Sequence, residues 1–384
     1  MKFGIFFELS TPRPFSRENE WRVYHNALEQ CRLADELGFD HVWAVEHHFL
    51  EEYSHSSSPE VFLSAVAAQT RRIRLGHGAV VCVPEMNHPI RVAERAAALD
   101  IISGGRLELG TARSSTWTEL GGFGVNPDDT KITWEEFVRV LPQMWMSEEF
   151  EWRGKSFSMP ARNVLPKPLQ DPHPPLWVTV TSPGTELDAA RRGLGCLGVS
   201  AAGYEEQERR TKEYHRVIQQ CEPVGGVVND QVHTMNFLYC HEDYRVARDI
   251  GVPMVTAFNV ANAHLYWTRE AFPTRAYQTL GNAGAAMKAK SRPADDPSAA
   301  KGLPEGVGVG DPEHLIATIK RWESIGVTGI NFLLNAMEMV PQEQVLESLR
   351  LFAREVMPKF RDPGDRSRVY APTTVPGFVS DPTC

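Results

Sequence analysis

The sequence lacks any apolar run long enough to cross a membrane. No stretch of its 384 residues approaches the length of about 18 apolar residues that a transmembrane helix needs. The opening segment, Met1 to Glu8, has the alternating character of a strand and is too short and too soon acidic for a signal peptide. We therefore expect a cytoplasmic protein with no membrane partner.

Positive charge is also in short supply. The 40 lysines and arginines are outnumbered by 49 aspartates and glutamates, which gives a net charge of −9. A protein that binds nucleic acid through bulk charge carries a basic excess, so nucleic acid is not an expected partner. The share of hydrophobic residues, 42%, is that of an ordinary globular protein and not of a disordered chain.

The six cysteines are scattered and form no CxxC pair. This spacing predicts neither a zinc site nor a disulfide framework, and it is typical of reduced thiols in a cytosolic protein. The sequence also lacks an HExxH motif, and it has no GxGxxG motif that follows a predicted strand and opens a helix. The usual signatures of a zinc protease and of a dinucleotide-binding unit are therefore missing.

What the sequence does contain is a regular alternation of short apolar strands and amphipathic helices. Eight strands are predicted, at Lys2–Phe7, His41–Val45, Ile73–Val83, Arg106–Gly110, Leu176–Val180, Gly195–Ser200, Val232–Tyr239 and Thr328–Leu334. This pattern predicts a (β/α)8 TIM barrel. A doubly wound parallel sheet is the alternative, because alternation alone does not separate the two folds.

A single domain is predicted over residues 1–360. A long insertion, about residues 250–310, separates the seventh and eighth predicted strands, and its end is rich in Pro, Gly and Ala. Connections of that length are usually lids or binding loops. Residues 361–384, rich in Pro, Asp, Ser and Thr, are expected to form an extended or disordered tail.

Polar residues follow several predicted strands at their carboxyl ends, where the active sites of barrels lie. Arg113 follows the fourth strand, and Ser182 and Thr185 follow the fifth and lead into a helix. A guanidinium, hydroxyls and the N–H groups of a helix start can together bind phosphate. Two other interpretations stay open, in which the two hydroxyls only cap the helix and Arg113 only forms a surface salt bridge.

A metal site at the same strand ends is the competing prediction. Glu46, His47, His48 and His77 could supply ligands. Neighbouring residues of a regular strand point to opposite faces, so His47 and His48 are not expected to face the same ion. We predict no metal site.

Several short motifs are spread over most of the predicted barrel. They are Leu-Gly-Phe-Asp-His-Val-Trp at 37–43, Glu-His-His-Phe at 46–49, His88-Pro89, Gly105-Arg106-Leu107, Gly110-Thr111-Ala112-Arg113, Thr328-Gly329-Ile330 and Val356-Met357-Pro358. With these motifs the chain resembles the luciferase-like monooxygenases, flavin-dependent (β/α)8 enzymes related to bacterial luciferase. The insertion and the tail lie outside the resemblance.

The resemblance implies FMN as the cofactor and gives roles to particular residues. His47 matches the catalytic histidine near the flavin, Arg113 the arginine that holds the FMN phosphate, and Lys131 a further basic residue. The remaining cofactor-binding positions that it implies are Gly78, Ala79, Thr181, Ser182 and Thr185. In the family the bulge at Gly78–Ala79 is often a non-proline cis peptide under the flavin ring.

The chain departs from bacterial luciferase at two of the matched positions. Thr181 stands in place of an acidic residue, and Ala112 stands in place of a reactive cysteine. Both departures argue against light emission, and the argument for flavin binding does not depend on them.

The implied function is that of a two-component flavin-dependent monooxygenase. A separate NAD(P)H-dependent flavin reductase would supply reduced FMN, which reacts with O2 to a C4a-peroxyflavin that oxidises a small organic substrate. Aromatic residues at the expected mouth favour an apolar or aromatic substrate, and a homodimer is expected. The alternatives are a deazaflavin-dependent hydride-transfer enzyme on the same barrel, a non-catalytic flavin-binding protein and, with less support, a metal-dependent hydrolase.

Overall fold

A computed structural model describes residues 1–114, 116–182, 184–199, 203–265, 303, 305–361 and 373–374. In these residues eight parallel strands form one sheet that closes on itself. The strands are β1 (Lys2–Phe7), β2 (His41–Ala44), β3 (Arg74–Val81), β4 (Leu107–Ala112), β5 (Leu176–Val180), β6 (Gly195–Val199), β7 (Val232–Cys240) and β8 (Gly329–Leu333).

The pairing of the first and last strands decides between the two predicted folds. β1 pairs with β8 on one side and with β2 on the other. β7 pairs with both β6 and β8, which closes the ring. A doubly wound sheet would leave two open edges, so the predicted (β/α)8 barrel is confirmed.

Helices cover the outside of the barrel. In the described residues the longer helices are Arg17–Leu37, Pro59–Gln69, Pro89–Ser103, Thr130–Met146, Gly203–Ile218, Tyr244–Leu265, Pro312–Ser324 and Gln342–Leu351. In the helix Arg17–Leu37, Ser16 caps the start and Gly38 ends the helix in the left-handed region. Its apolar face, Val23, Ala27, Cys31 and Ala34, is buried in the core. No helix in the described ranges has both the length and the apolar character needed to cross a membrane.

Shorter elements decorate this frame. Two short helices, Trp117–Gly122 and Thr185–Arg191, follow β4 and β5. The strands Phe150–Arg153 and Ser158–Arg162 pair as a hairpin. Gly308–Gly310 pairs with β7, and Thr373–Thr374 of the tail pairs with Val227–Val228.

The lower part of the barrel interior is filled by two tryptophans. The rings of Trp43 and Trp177 lie 5.3 Å apart in an edge-to-face arrangement, and both side chains are fully buried. Gly76 makes room for Trp43, since a Cβ at that position would lie 2.1 Å from the indole ring. Both tryptophans therefore belong to the barrel core.

The segment after β7 differs from its prediction. It starts as a regular helix, Tyr244–Leu265, and this helix extends into the part of the chain that was predicted as an insertion from about residue 250. Gly251 and Pro253 lower the helix propensity there, but Met254 and Phe258 are buried against the barrel and hold the helix in place. Residues 266–302 lie outside the described residues, so the predicted lid stays a prediction, as does most of the predicted tail.

Candidate active site at the carboxyl end of the barrel

The residues singled out from the sequence lie along one arc of the barrel rim. His47 follows β2, Gly78–Ala79 lies within β3, Arg113 follows β4, and Thr181 and Ser182 follow β5. These four strands are consecutive neighbours in the sheet. Since all are parallel, their carboxyl ends meet at the same end of the barrel.

His47 lies beyond the end of β2, in a segment without regular strand geometry. Its backbone N–H donates to the carbonyl of Ser56 at 2.9 Å, which fixes the segment. The ring turns toward Glu119, whose Oε1 lies 2.9 Å from Nδ1. The side chain is 21% exposed, so a reacting molecule can approach the imidazole.

Glu119 belongs to the short helix Trp117–Gly122 and is fully buried. Besides His47, it accepts hydrogen bonds from the hydroxyls of Ser114 and Thr116 and from the backbone N–H of His48. Burial alone would raise the pKa of Glu119, but His47 and these donors outweigh it and lower the pKa. Glu119 is therefore a carboxylate that fixes the orientation of the imidazole.

Glu8 faces the other nitrogen of the imidazole from the end of β1. Its Oε2 lies 3.7 Å from Nε2 of His47, and its Oε1 accepts a hydrogen bond of 3.1 Å from the hydroxyl of Tyr53. Burial raises the pKa of Glu8 to about 7, although His47 and Tyr53 act in the opposite direction. Glu8 therefore changes charge near neutral pH.

His47 lies between these two carboxyl groups. Burial alone would lower its pKa, but the negative charges of Glu119 and Glu8 outweigh that effect and raise the pKa to about 9. At neutral pH the imidazole carries a proton on each nitrogen, and the Nδ1–H is directed to Glu119. The arrangement can hold a proton at Nε2 and release it, which is the chemistry of a general acid.

The side chains of Glu46 and His48 contact each other beside this centre. The carboxylate of Glu46 is buried and accepts hydrogen bonds from Asn87 at 2.6 Å and from the backbone N–H of Val81 at 3.0 Å, while Nε2 of His48 lies 3.2 Å from it. Burial would raise the pKa of Glu46, but these contacts and His77 outweigh it and lower the pKa to about 2. Glu46 thus connects the segment after β2 to the end of β3.

The bulge predicted in the third strand is present. The register between β3 and β4 shifts between His77 and Val80, and the peptide between Gly78 and Ala79 is cis. The side chain that Gly78 lacks would approach the ring of Trp43 to 2.8 Å.

Arg113 and the hydroxyls after β5 form the second candidate group. Arg113 is half-buried, and it has neither an ion pair nor a hydrogen bond with any residue in the described ranges. The helix Thr185–Arg191 is capped by Gly184 without a side-chain hydrogen bond, so Ser182 and Thr185 do not cap it. Within the described residues, therefore, Arg113 forms no surface salt bridge and the two hydroxyls do not cap the helix, so neither of the other two interpretations is supported.

Two details of this group differ from the sequence expectation. The backbone N–H of Gly184 donates to Glu186 Oε2 at 2.9 Å, so the helix start already has a carboxylate partner. Lys131 is 54% exposed and forms an ion pair of 3.3 Å with Asp188, which lies on the helix Thr185–Arg191. Of the two cationic side chains, Arg113 is thus the one whose donors have no partner among the described residues.

Glu8 and Glu119 were not predicted as site residues. Glu119 is the last residue of Thr-Trp-Thr-Glu at 116–119, a capping-box pattern that signals a helix start in a loop. Glu8 is a carboxylate directly after an apolar strand, a second available signal. In the described part of the chain, no group of three or more His, Cys, Asp or Glu side chains is arranged to hold a metal ion.

A closed (β/α)8 barrel with an acid–base centre at its carboxyl end defines an enzyme of the TIM-barrel class. A family model described as luciferase-like monooxygenase matches residues 1–329. The chain therefore belongs to the luciferase-like monooxygenase family, and it is an oxidoreductase of the monooxygenase class.

Two relatives illustrate the range of similarity. The chain is 24% identical over 365 residues to the oxygenase component of a flavin-dependent trigonelline monooxygenase from Acinetobacter baylyi, a match that covers 94% of this chain and 96% of that protein. It is 36% identical over 200 residues to an uncharacterised protein of Sinorhizobium fredii, a match that covers 52% of this chain and 56% of that protein.

Solved structures share the fold over nearly the whole chain. The monooxygenase RslO1 from Streptomyces bottropensis has a TM-score of 0.75 at 28% identity and covers 94% of this chain and 100% of its own. The oxygenating constituent of 3,6-diketocamphane monooxygenase from Pseudomonas putida, in complex with FMN, has a TM-score of 0.73 at 19% identity, covering 94% and 98%. A coenzyme F420-dependent tetrahydromethanopterin reductase from Methanopyrus kandleri has a TM-score of 0.65 at 19% identity, covering 94% and 99%.

Proposed function

We propose that the protein is the oxygenase component of a two-component, FMN-dependent monooxygenase that oxidises a small apolar or aromatic substrate. The observation that carries the proposal is the donor set at the ends of β4 and β5. There, the guanidinium of Arg113 and the hydroxyls of Ser182 and Thr185 are without partners among the described residues. This is the donor chemistry that a phosphate monoester needs.

The residues present fit FMN by their chemistry. Arg113 would bind the phosphate, with Ser182 and Thr185 donating to its oxygens and Lys131 adding positive charge. The bulge at Gly78–Ala79 would lie under the ring system, as the family resemblance implies. Reduced FMN, when bound, would supply the activation of O2.

His47 has the position and the charge for proton transfer at this site. Its Nδ1–H is committed to Glu119, so the proton available to a reacting group is the one on Nε2. The buried carboxylate keeps the ring in a single orientation, which is the requirement for an efficient general acid or base. We therefore assign His47 as the acid–base residue of the proposed reaction.

The mouth of the barrel carries aromatic surface, which supports the proposed substrate class. Phe49 is 58% exposed and its ring lies 5.4 Å from that of Phe123, which in turn contacts His48. Exposed aromatic rings beside a polar centre are typical of sites that bind apolar ligands.

The proposal is tested by comparing FMN with riboflavin, which lacks the phosphate. We expect wild-type protein to bind FMN well and riboflavin poorly in a flavin fluorescence titration. Arg113→Ala should weaken FMN binding by about 10- to 100-fold, the loss of one charge-assisted hydrogen bond, and leave riboflavin binding unchanged.

A matched control and a second cofactor sharpen the test. Arg153→Ala removes an arginine that is 86% exposed on the hairpin, and it should not change FMN affinity. Equal affinity of wild type for FMN and riboflavin would overturn the phosphate assignment. Tight binding of a deazaflavin, with no binding of FMN, would favour the hydride-transfer alternative.

A further inference from the structure

Glu8 is a buried carboxyl group with one oxygen that lacks a hydrogen-bond partner. Its side chain is nearly inaccessible, and within the described residues its Oε2 accepts no hydrogen bond. That oxygen faces Nε2 of His47 at 3.7 Å. An unpartnered buried carboxylate oxygen is costly unless a positive charge lies close to it.

The surroundings of the pair identify His47 as that positive charge. The groups facing the imidazole are Glu8 from β1, Glu119 from the short helix, Tyr53 and, behind the segment, Glu46. Among the described residues, the imidazole of His47 is the positively charged group that forms an ion pair with the Glu8 carboxylate, at 3.7 Å. Glu8 directly follows β1, and His47 lies three residues beyond the end of β2, which pairs with β1 in the barrel.

We propose that Glu8 is a positioning residue for His47, and that its carboxylate holds the imidazolium from the Nε2 side while Glu119 holds it from the Nδ1 side. This inference rests on the proposed function, in which His47 moves a proton at Nε2. Glu8 itself titrates near neutral pH, with a pKa raised by burial to about 7. The hold from the Nε2 side therefore becomes stronger as the pH rises through 7 and Glu8 ionises.

Tyr53 contributes to the ionisation of Glu8, after burial and His47. Its hydroxyl donates to Glu8 Oε1, which favours the charged carboxylate and lowers the pKa of Glu8. The hydroxyl also accepts a hydrogen bond of 3.4 Å from Asn262, and the ring packs 5.1 Å from that of Phe258. Both contacts come from the helix Tyr244–Leu265, which fixes the phenol against Glu8.

The experiment follows the side-chain signals of histidine by NMR in cofactor-free, 15N-labelled protein. His47 is assigned by the loss of its signals in His47→Gln. In wild type we expect two coupled steps, a small one near pH 7 from Glu8 and a large one near pH 9 from His47. In Glu8→Gln the small step should vanish and the large one should fall by at least about one pH unit, the usual effect of removing an adjacent opposite charge.

A matched control comes from a second Glu–His pair. Nδ1 of His55 lies 2.8 Å from Glu20, so Glu20→Gln removes a carboxylate from a histidine elsewhere and should leave the titration of His47 unchanged. If Glu8→Gln leaves the midpoint of His47 within about 0.3 units of wild type, far less than an adjacent charge produces, the inference is overturned.

A second variant covers failure of Glu8→Gln to fold. Tyr53→Phe removes only the hydroxyl, so the small step should move to higher pH, and a small step that stays at its wild-type pH overturns the inference as well. These readouts need no flavin. Failure of FMN to bind would overturn the proposed function and leave the titration of His47 unaffected.

Discussion

At the scale of single residues, the charge of His47 depends on two carboxyl groups from separate parts of the chain. Burial alone would favour a neutral imidazole, and the pKa of about 9 results from the opposing effect of Glu119 and Glu8. A proton donor at neutral pH is thus made from a residue that normally loses its proton near pH 6.5.

The first prediction concerns the rate of the proposed reaction. His47→Ala should lower product formation by about 10²- to 10⁴-fold, the usual contribution of a general acid–base group. FMN affinity should stay within a few-fold of wild type, because Arg113 lies at the end of another strand. The measurement is product yield with a flavin reductase, together with hydrogen peroxide release, which should rise.

His48→Ala serves as its neighbouring control. The ring of His48 lies against Glu46 and away from the Glu8–His47–Glu119 centre, so this variant should keep most of the rate. The opposite result, a slow His48→Ala and a fast His47→Ala, would transfer the acid–base role to His48.

The second prediction concerns acid stability and Glu46. Its folded-state pKa of about 2 lies below the ordinary 4.5, so the ionised carboxylate stabilises the fold above pH 4.5, and this stabilisation is lost as the pH falls toward 2. The shift corresponds to about 3 kcal/mol. In urea denaturation, Glu46→Gln should be less stable than wild type by an amount that shrinks between pH 4.5 and pH 2. A difference that stays constant over this range contradicts the prediction.

At the scale of elements, local patterns predict where strands lie better than which side chains meet. All eight predicted strands agree with their observed bounds to within two residues at each end, because apolar runs between helices leave few alternatives. The meeting of His47 with Glu119, which is 72 residues away, has no local signature. The capping box at Thr116–Glu119 predicts a helix start, but it does not predict that its glutamate contacts a histidine in the segment after β2.

The third prediction concerns the close contact between β3 and Trp43. Gly76→Ala should destabilise the protein by about 1–3 kcal/mol or more, because the new methyl group would overlap the fully buried indole. Gly198→Ala is the matched control in β6, where the nearest atom to a new Cβ would lie at 3.5 Å, and it should be tolerated. Thermal unfolding of both variants makes the comparison, and equal melting temperatures would contradict the described packing.

At the scale of the whole molecule, the chain has a candidate flavin phosphate site and no dinucleotide fingerprint. The alternation of strands and helices predicted a barrel, with a doubly wound sheet as the alternative, and the closure between β6, β7 and β8 decided for the barrel. The helix after β7 was missed because Gly251 and Pro253 obscure a periodicity that only packing against the barrel enforces.

The fourth prediction follows from the proposal that a separate reductase, and not this chain, oxidises the nicotinamide. The isolated protein with FMN, O2 and NADH or NADPH should neither consume the nicotinamide nor form product. Addition of a flavin reductase should start turnover, and photochemically reduced FMN mixed with oxygenated buffer should give product without any reductase. Rapid nicotinamide oxidation by the isolated chain would show that it needs no partner.

The hydrogen bond between Asn262 and Tyr53 has a consequence for the evolution of this enzyme. The helix that carries Asn262 leads into the long connection before β8, a place where related barrels can vary without disturbing the frame. The same helix is connected to Glu8 through the hydroxyl of Tyr53, which accepts a hydrogen bond from Asn262 and donates one to Glu8. Substitutions in this helix that break the bond to Tyr53 should therefore shift the pH dependence of the enzyme, and directed evolution for specificity should be screened at several pH values.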